Sequence, residues 1–267
     1  MKKNRVNLFT AFNGFFFLLL LALTTFVMAA GDAKKAKEKY SLTVFAAASL
    51  TEALNEIATL YKASAPEATL TFNFDSSGKL QTQIENGAEA DLFLSAGQKQ
   101  MDAIAATYID STTRKDLLVN QVVLILPKNS KKPIKSFEDC LGDKVSLIAI
   151  GNSSVPVGQY TEEIFKSLNG WDKITAKASL GTNVKEVLSQ VESGSVDAGI
   201  VYATDAATAK NVKVVAEAPK GSHKPAVYPV AVLKKSAQPK EAKAFLDYLS
   251  SPKATAVFKK IGFEIVK

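Results

Sequence analysis

Cysteine, histidine and tryptophan each occur once in the 267 residues. A single cysteine, Cys140, rules out an internal disulfide and reads as a small buried hydrophobe. A single histidine, His223, rules out any site that needs two imidazoles, including the H-E-x-x-H zinc motif. It sits in Gly221-Ser222-His223-Lys224-Pro225, which reads as a surface loop. A Ser-His-acid triad would have to recruit that loop, and the chain has no G-x-S-x-G elbow. It has no P-loop and no G-x-G-x-x-G string either. Aromatic residues are absent from the lysine clusters at Lys34, Lys35, Lys37 and Lys39 and at Lys131, Lys132 and Lys135, so these are solvated charges and not a nucleic-acid surface.

Hydrophobic residues make up 47% and charged residues 22%, the balance of a globular protein. The N-terminus stands apart. Lys2, Lys3 and Arg5 precede an uncharged apolar run, Phe15 to Val27, and Val27-Met28-Ala29 ends in a small residue before a cut. This pattern predicts a secretory signal peptide over residues 1–29, and the run is short for a spanning helix. No cysteine lies near the cut, which argues against a lipid anchor. Without that segment 30 basic residues face 26 acidic ones, a mild positive surplus that would draw in an anion. Residues 30–39 read as a linker.

From residue 40 onward strand and helix patterns alternate. Strands are expected at 42–47, 69–74, 90–95, 122–127, 145–150, 198–202, 212–216 and 227–233. Helices are expected at 50–61, 79–86, 99–106, 160–168, 184–193, 240–250 and 252–261. Repeated βα units give an α/β fold with mainly parallel sheets flanked by helices. Ligands of such sheets bind beyond the carboxyl ends of the strands, so the strand-to-helix turns are the places to read.

Those turns are rich in small and hydroxyl residues. Ser49, with Glu52 three residues on, has the spacing of a capping box. Phe74-Asp75-Ser76-Ser77-Gly78-Lys79 places hydroxyls and a glycine between a strand and a helix. Asn152-Ser153-Ser154-Val155-Pro156-Val157-Gly158 brings proline to a helix start, where its missing N–H costs nothing. Gly181-Thr182-Asn183-Val184 opens another helix, and Tyr202 ends a strand. Unpaired N–H groups at helix starts, with hydroxyls beside them, hold an anion without any charged ligand. Asp75 should therefore point away or bond locally, and Lys79 reads as solvated.

The blocks FAAASLTEAL, SSGKLQTQIENGAEADLFLSA, NSSVPVGQYTEEIF, NGWD, GIVYATDA, VYPVAV and FLDYLSSPKATAVFKKIGFEI occur in this order. Together they resemble periplasmic molybdate-binding proteins of ABC importers, over essentially all of residues 41–265. The resemblance implies a two-lobed type II periplasmic-binding-protein fold with the ligand in the interlobe cleft. Lobe 1 would comprise residues 40–121 and 228–267, and lobe 2 residues 122–227. It implies a periplasmic monomer that is not an enzyme, needs no cofactor, binds no bare metal cation and no nucleic acid, and delivers molybdate or tungstate to a permease and its ATPase. Carried onto this sequence, the ligand-binding residues are Ser49, Ser77, Val157, Val184 and Tyr202. The serines would use hydroxyl and amide, the valines their N–H, and Tyr202 its hydroxyl. Two departures stand out: Val157 replaces a more common alanine, and Ser-Ser-Gly-Lys at 76–79 replaces a more common Ser-Ser-Ser-Thr. The competing readings are a sulfate or phosphate binder, a ferric-ion binder and, from another class, a secreted hydrolase using Ser49 or Ser77.

Overall fold

The computed structural model describes residues 38–266. The expected signal segment, and the linker before residue 38, lie outside the described residues. From Lys39 on the chain packs as one compact unit.

Two sheets organise that unit. The first is built from β1 (Tyr40–Ala47), β2 (Ala68–Asp75), β3 (Leu92–Leu94), β4 (Lys115–Asn120), β10 (Ala226–Val232) and β11 (Glu264–Ile265), in the order β11-β4-β10-β3-β1-β2. The second holds β5 (Val122–Pro127), β6 (Ile148–Gly151), β7 (Ala178–Gly181), β8 (Ala198–Tyr202) and β9 (Val212–Glu217), in the order β7-β6-β8-β5-β9. The chain enters the second sheet across Gln121 and returns between Glu217 and Ala226.

Both sheets are mixed. β1 pairs in parallel with β2 and β3, and β6 with β7 and β8. The strands next to the crossings, β4, β5, β9 and β10, pair antiparallel. A chain that leaves one sheet and comes back must run against its parallel neighbours at the joint. The α/β pattern announced the parallel half, and the antiparallel half follows from the two crossings.

Helices cover the sheets: α1 (Thr51–Ser64), α2 (Ser77–Glu85), α3 (Gln98–Tyr108), α4 (Pro156–Ser167), α5 (Trp171–Thr175), α6 (Val184–Glu192), α7 (Ala203–Thr208), α8 (Pro239–Tyr248) and α9 (Pro252–Ile261). In α6 the apolar face Val184, Val187, Leu188 and Val191 is buried, as its helical spacing demands. Ser251 caps α9 by accepting the Ala254 N–H, and Pro252 fills the first helical position. At the end of α4, Asn169 takes a left-handed φ of 53°, one of the few side chains that tolerates it. Strands β4, β7 and β11 and helices α5 and α7 were not expected; they span two to six residues.

Among the described residues no helix is long and apolar enough to cross a membrane. Cys140 is fully buried, and burial pushes its thiol up to about 12.

Candidate functional site: a cavity between the two sheets

Ser49, Ser77, Val157, Val184 and Tyr202 line one small cavity, together with Ala47, Ala48, Asp75, Ser76, Ala96, Val155 and Pro156. Ser49 and Ser77 follow β1 and β2 of the first sheet, whereas Val157, Val184 and Tyr202 belong to the second. The cavity thus lies where the carboxyl ends of parallel strands from both sheets meet. Its volume, about 10 Å³ open to the centre of a water-sized sphere, is near the minimum for one water. Larger clefts of about 580 Å³ lie along Lys39–Gln238 and Gly97–Pro225. They lack the convergence of helix starts, so size does not mark the site.

Three helices begin at the cavity. In α2 the cap residue Ser76 accepts the Lys79 N–H at 3.3 Å, and Asp75 accepts the Ser76 N–H at 2.7 Å. Asp75 thus bonds locally and also accepts a long bond from Asn183 Nδ2 across the cleft at 3.4 Å; Ser77 and Gly78 carry the first N–H groups of the helix. In α6 the Asn183 side chain accepts the Glu186 N–H at 3.0 Å, which leaves Val184 at the first position. In α4 Pro156 has no N–H, and Val157 carries the first one. Such leading N–H groups have no acceptor inside their own helix, and the helix dipole adds positive potential there. The turn into α4 is also tight. A Cβ on Gly158 would stand 2.3 Å from the Gly151 carbonyl oxygen and 2.5 Å from that of Asn152.

Ser49 departs from the capping-box reading. A short 3-10 turn, Ala48–Leu50, precedes α1, so the cap falls on Leu50 with no side-chain bond. Ser49 Oγ instead lies 2.9 Å from the Tyr228 hydroxyl. Glu52 turns to Lys185, whose ammonium is 2.9 Å from it. Ser77 Oγ accepts the Ala96 N–H at 2.9 Å. Tyr202 donates to the Ala96 carbonyl at 3.4 Å. Burial holds the Tyr202 phenol well above its ordinary pKa, so it stays a neutral donor.

Apart from Asp75 the lining is uncharged, and charged groups behind it tie the two sides together. Lys185 on α6 pairs with Asp205 on its own side and Glu52 on the other, each at 2.9 Å. Burial opposes its charge, but the two carboxylates outweigh that and raise its pKa. Asp205 is fully buried; burial pushes its carboxyl up, and Lys185 offsets only part of this. Lys79 is not simply solvated: it donates to Thr182 across the cleft at 2.8 Å and lies 3.4 Å from Asp75. Gly78 has its own cross-cleft neighbour. A Cβ there would sit 2.2 Å from the Ser154 carbonyl oxygen. Asn120, Tyr228 and Ala96 support the serines and were not singled out from the sequence. His223 packs against the Tyr160 ring, centroids 5.5 Å apart. Among the described residues no three His, Cys, Asp or Glu side chains cluster as a metal site.

Comparison with known proteins agrees with this architecture. Residues 42–264 match the model of the bacterial extracellular solute-binding protein family. The molybdate-binding protein ModA of Escherichia coli (strain K12) is 43% identical, with 84% of this chain and 89% of the relative covered. ModA of Haemophilus influenzae is 38% identical over 91% of this chain and 98% of its own length. Among solved structures, the periplasmic molybdate-binding protein of Azotobacter vinelandii superposes with a TM-score of 0.76. It covers 85% of this chain and 100% of its own and, at 24% identity, speaks for the fold alone. With residues 42–264 matched, the chain belongs to the bacterial extracellular solute-binding protein family.

Proposed function

We propose that the chain captures molybdate between its two sheets and hands it to an ABC importer. It is a transport protein, not an enzyme. The observation that carries this reading is the meeting of Ser49, Ser77, Val157, Val184 and Tyr202, neutral donors from both sheets, at one cavity. A permanent dianion is well served by such donors, each charge-assisted bond contributing about 1.5–3 kcal/mol. No side-chain charge has to be buried at the site when the ion leaves. The relatives whose names specify molybdate, at 43% and 38% identity, support the choice of ion. Tungstate, of the same shape and charge, is proposed as a second ligand. Export to the periplasm rests on the signal-like N-terminus and on these relatives.

Binding would proceed by hinge closure. Lobe 1, residues 40–121 with 228–267, brings Ser49 and Ser77; lobe 2, residues 122–227, brings Val157, Val184 and Tyr202. The ion shifts the open–closed balance only as far as it binds the closed form better. Lys185 to Glu52 and Lys79 to Thr182 add bonds across the cleft that would support the closed form.

Calorimetric titration with molybdate, tungstate, sulfate, phosphate and ferric ion tests the reading. Sub-micromolar binding of the first two, and none of sulfate, is expected; tight sulfate or iron binding overturns it. Ser77→Ala should weaken molybdate about ten- to a hundredfold. Unchanged affinity rejects the site.

A further inference from the structure

We infer that Asn120 and Tyr228 are positioning residues that force the Ser49 hydroxyl to act as a donor toward the bound oxyanion. The inference rests on the oxyanion reading above and deepens it. A serine hydroxyl can donate or accept, and only donation helps against an anion that carries no proton. Something must therefore fix the direction.

The direction can be traced bond by bond. The Gln121 N–H donates to Asn120 Oδ1 at 2.9 Å. That bond settles which end of the amide is oxygen, so Nδ2 faces the other way. Asn120 Nδ2 then donates to Thr204 Oγ1 at 2.9 Å and to the Tyr228 hydroxyl oxygen at 3.2 Å. Tyr228 Oη lies 2.9 Å from Ser49 Oγ, a contact in which either hydroxyl can be the donor, and with Asn120 already donating to Tyr228 we assign the donor role to Tyr228. Tyr202, packed edge-on against Tyr228, uses its own hydroxyl on the Ala96 carbonyl. Burial keeps the Tyr228 phenol protonated. Ser49 Oγ thus receives a proton and has its own left for the cavity.

Ser77 arrives at the same state by a different route. Its Oγ accepts the Ala96 N–H, a donor that cannot reverse. The site therefore presents two hydroxyls whose accepting side is already engaged, one through a backbone amide and one through the Asn120–Tyr228 pair. The pair also lies at the crossings: Asn120 ends β4 one residue before the chain leaves the first sheet, and Tyr228 is in the strand that brings it back. Ser49 is set by the same residues that carry the hinge.

The test is a double-mutant cycle read by molybdate affinity, with apo melting curves to show that each variant is folded. Tyr228→Phe should weaken molybdate about tenfold in the native background. In a Ser49→Ala background the same change should have almost no further effect, because the hydroxyl it orients is gone. Asn120→Ala supplies the second variant: a smaller loss, again abolished by Ser49→Ala. A purely structural role for Tyr228 or Asn120 would persist in the Ser49→Ala background, so additive losses overturn the inference. Native-like affinity in Tyr228→Phe overturns it too, while leaving the oxyanion reading intact. Failure of the unmutated protein to bind molybdate instead overturns the functional reading, and this inference with it.

Discussion

Gly78→Val places a wedge in the cleft, and the structure sets the size of its effect. A bare Cβ at residue 78 would stand 2.2 Å from the Ser154 carbonyl oxygen and 3.0 Å from its carbonyl carbon. Ordinary contact begins near 3.4 Å, so one added carbon already demands about 1.2 Å of separation. The two γ carbons of valine reach about 1.5 Å further. Ser154 precedes the turn that carries Val157, so separating the sheets here withdraws that donor and its neighbours. An amide–oxyanion bond near 2.9 Å lengthened by more than 1 Å is no longer a hydrogen bond. Losing two such bonds, at about 1.5–3 kcal/mol each, weakens binding at least a hundredfold. Hinge opening, as proposed above, relieves the clash, and valine is a slightly better helix former than glycine, so the apo melting temperature should stay near the native value. Titration calorimetry gives the affinity, and small-angle scattering tells whether molybdate still compacts the protein. Native affinity with native compaction would refute the closure argument. The same contact accounts for glycine at a position where the resemblance led one to expect serine.

Two further outcomes follow from groups away from the cavity. Asp197 accepts N–H bonds from Ser146 and Leu147 and pairs with Lys132 at 2.6 Å. Burial works against its charge, yet these partners win and lower its pKa. A depressed carboxyl stabilises the fold above its unfolded value, near 4, and loses that contribution as pH falls through the folded value. Asp197→Asn should therefore melt below the native protein at pH 7, and the two should converge as pH falls through the depressed folded value; a gap that persists in strong acid would contradict this. Cys140, buried with a thiol near 12, should resist an aromatic disulfide reagent in the native protein and react in denaturant. Fast native labelling would show that the second sheet's core opens locally.

The cavity was legible in the sequence because its residues occupy turns, where the types tolerated are few. Small hydroxyls at 49 and 76–77, Val-Pro at 155–156 and Asn183 before an apolar helix face each announce a helix start. The support behind them was not legible. Asn120 looks like any polar strand end, and Tyr228 like any aromatic in an alternating strand. They meet only through the antiparallel register that sets Tyr228 opposite Leu118, and a register of that kind follows from the crossings. The spacing of Ser49 and Glu52 misled for a related reason. A capping box assumes that the serine is the cap, but the 3-10 turn moves the cap one residue on, to Leu50, and frees both side chains for longer-range partners. Lys79 reads as solvated in one dimension because Thr182 is far along the chain and adjacent only in space.

The strand order also bears on how the molecule is assembled. All five strands of the second sheet lie within residues 122–217, an uninterrupted stretch. In the first sheet β10 sits between β3 and β4, so β4 has no link to β3 until residues 226–232 arrive. As the chain emerges N-terminus first, the second half can condense by itself while β4 waits for a strand from near the other end to join it to β3. The last-formed joint carries Tyr228, so the capture site becomes competent only when the slower half has closed. A stalled or truncated chain that ends before residue 226 would hold a finished second sheet and no working cavity.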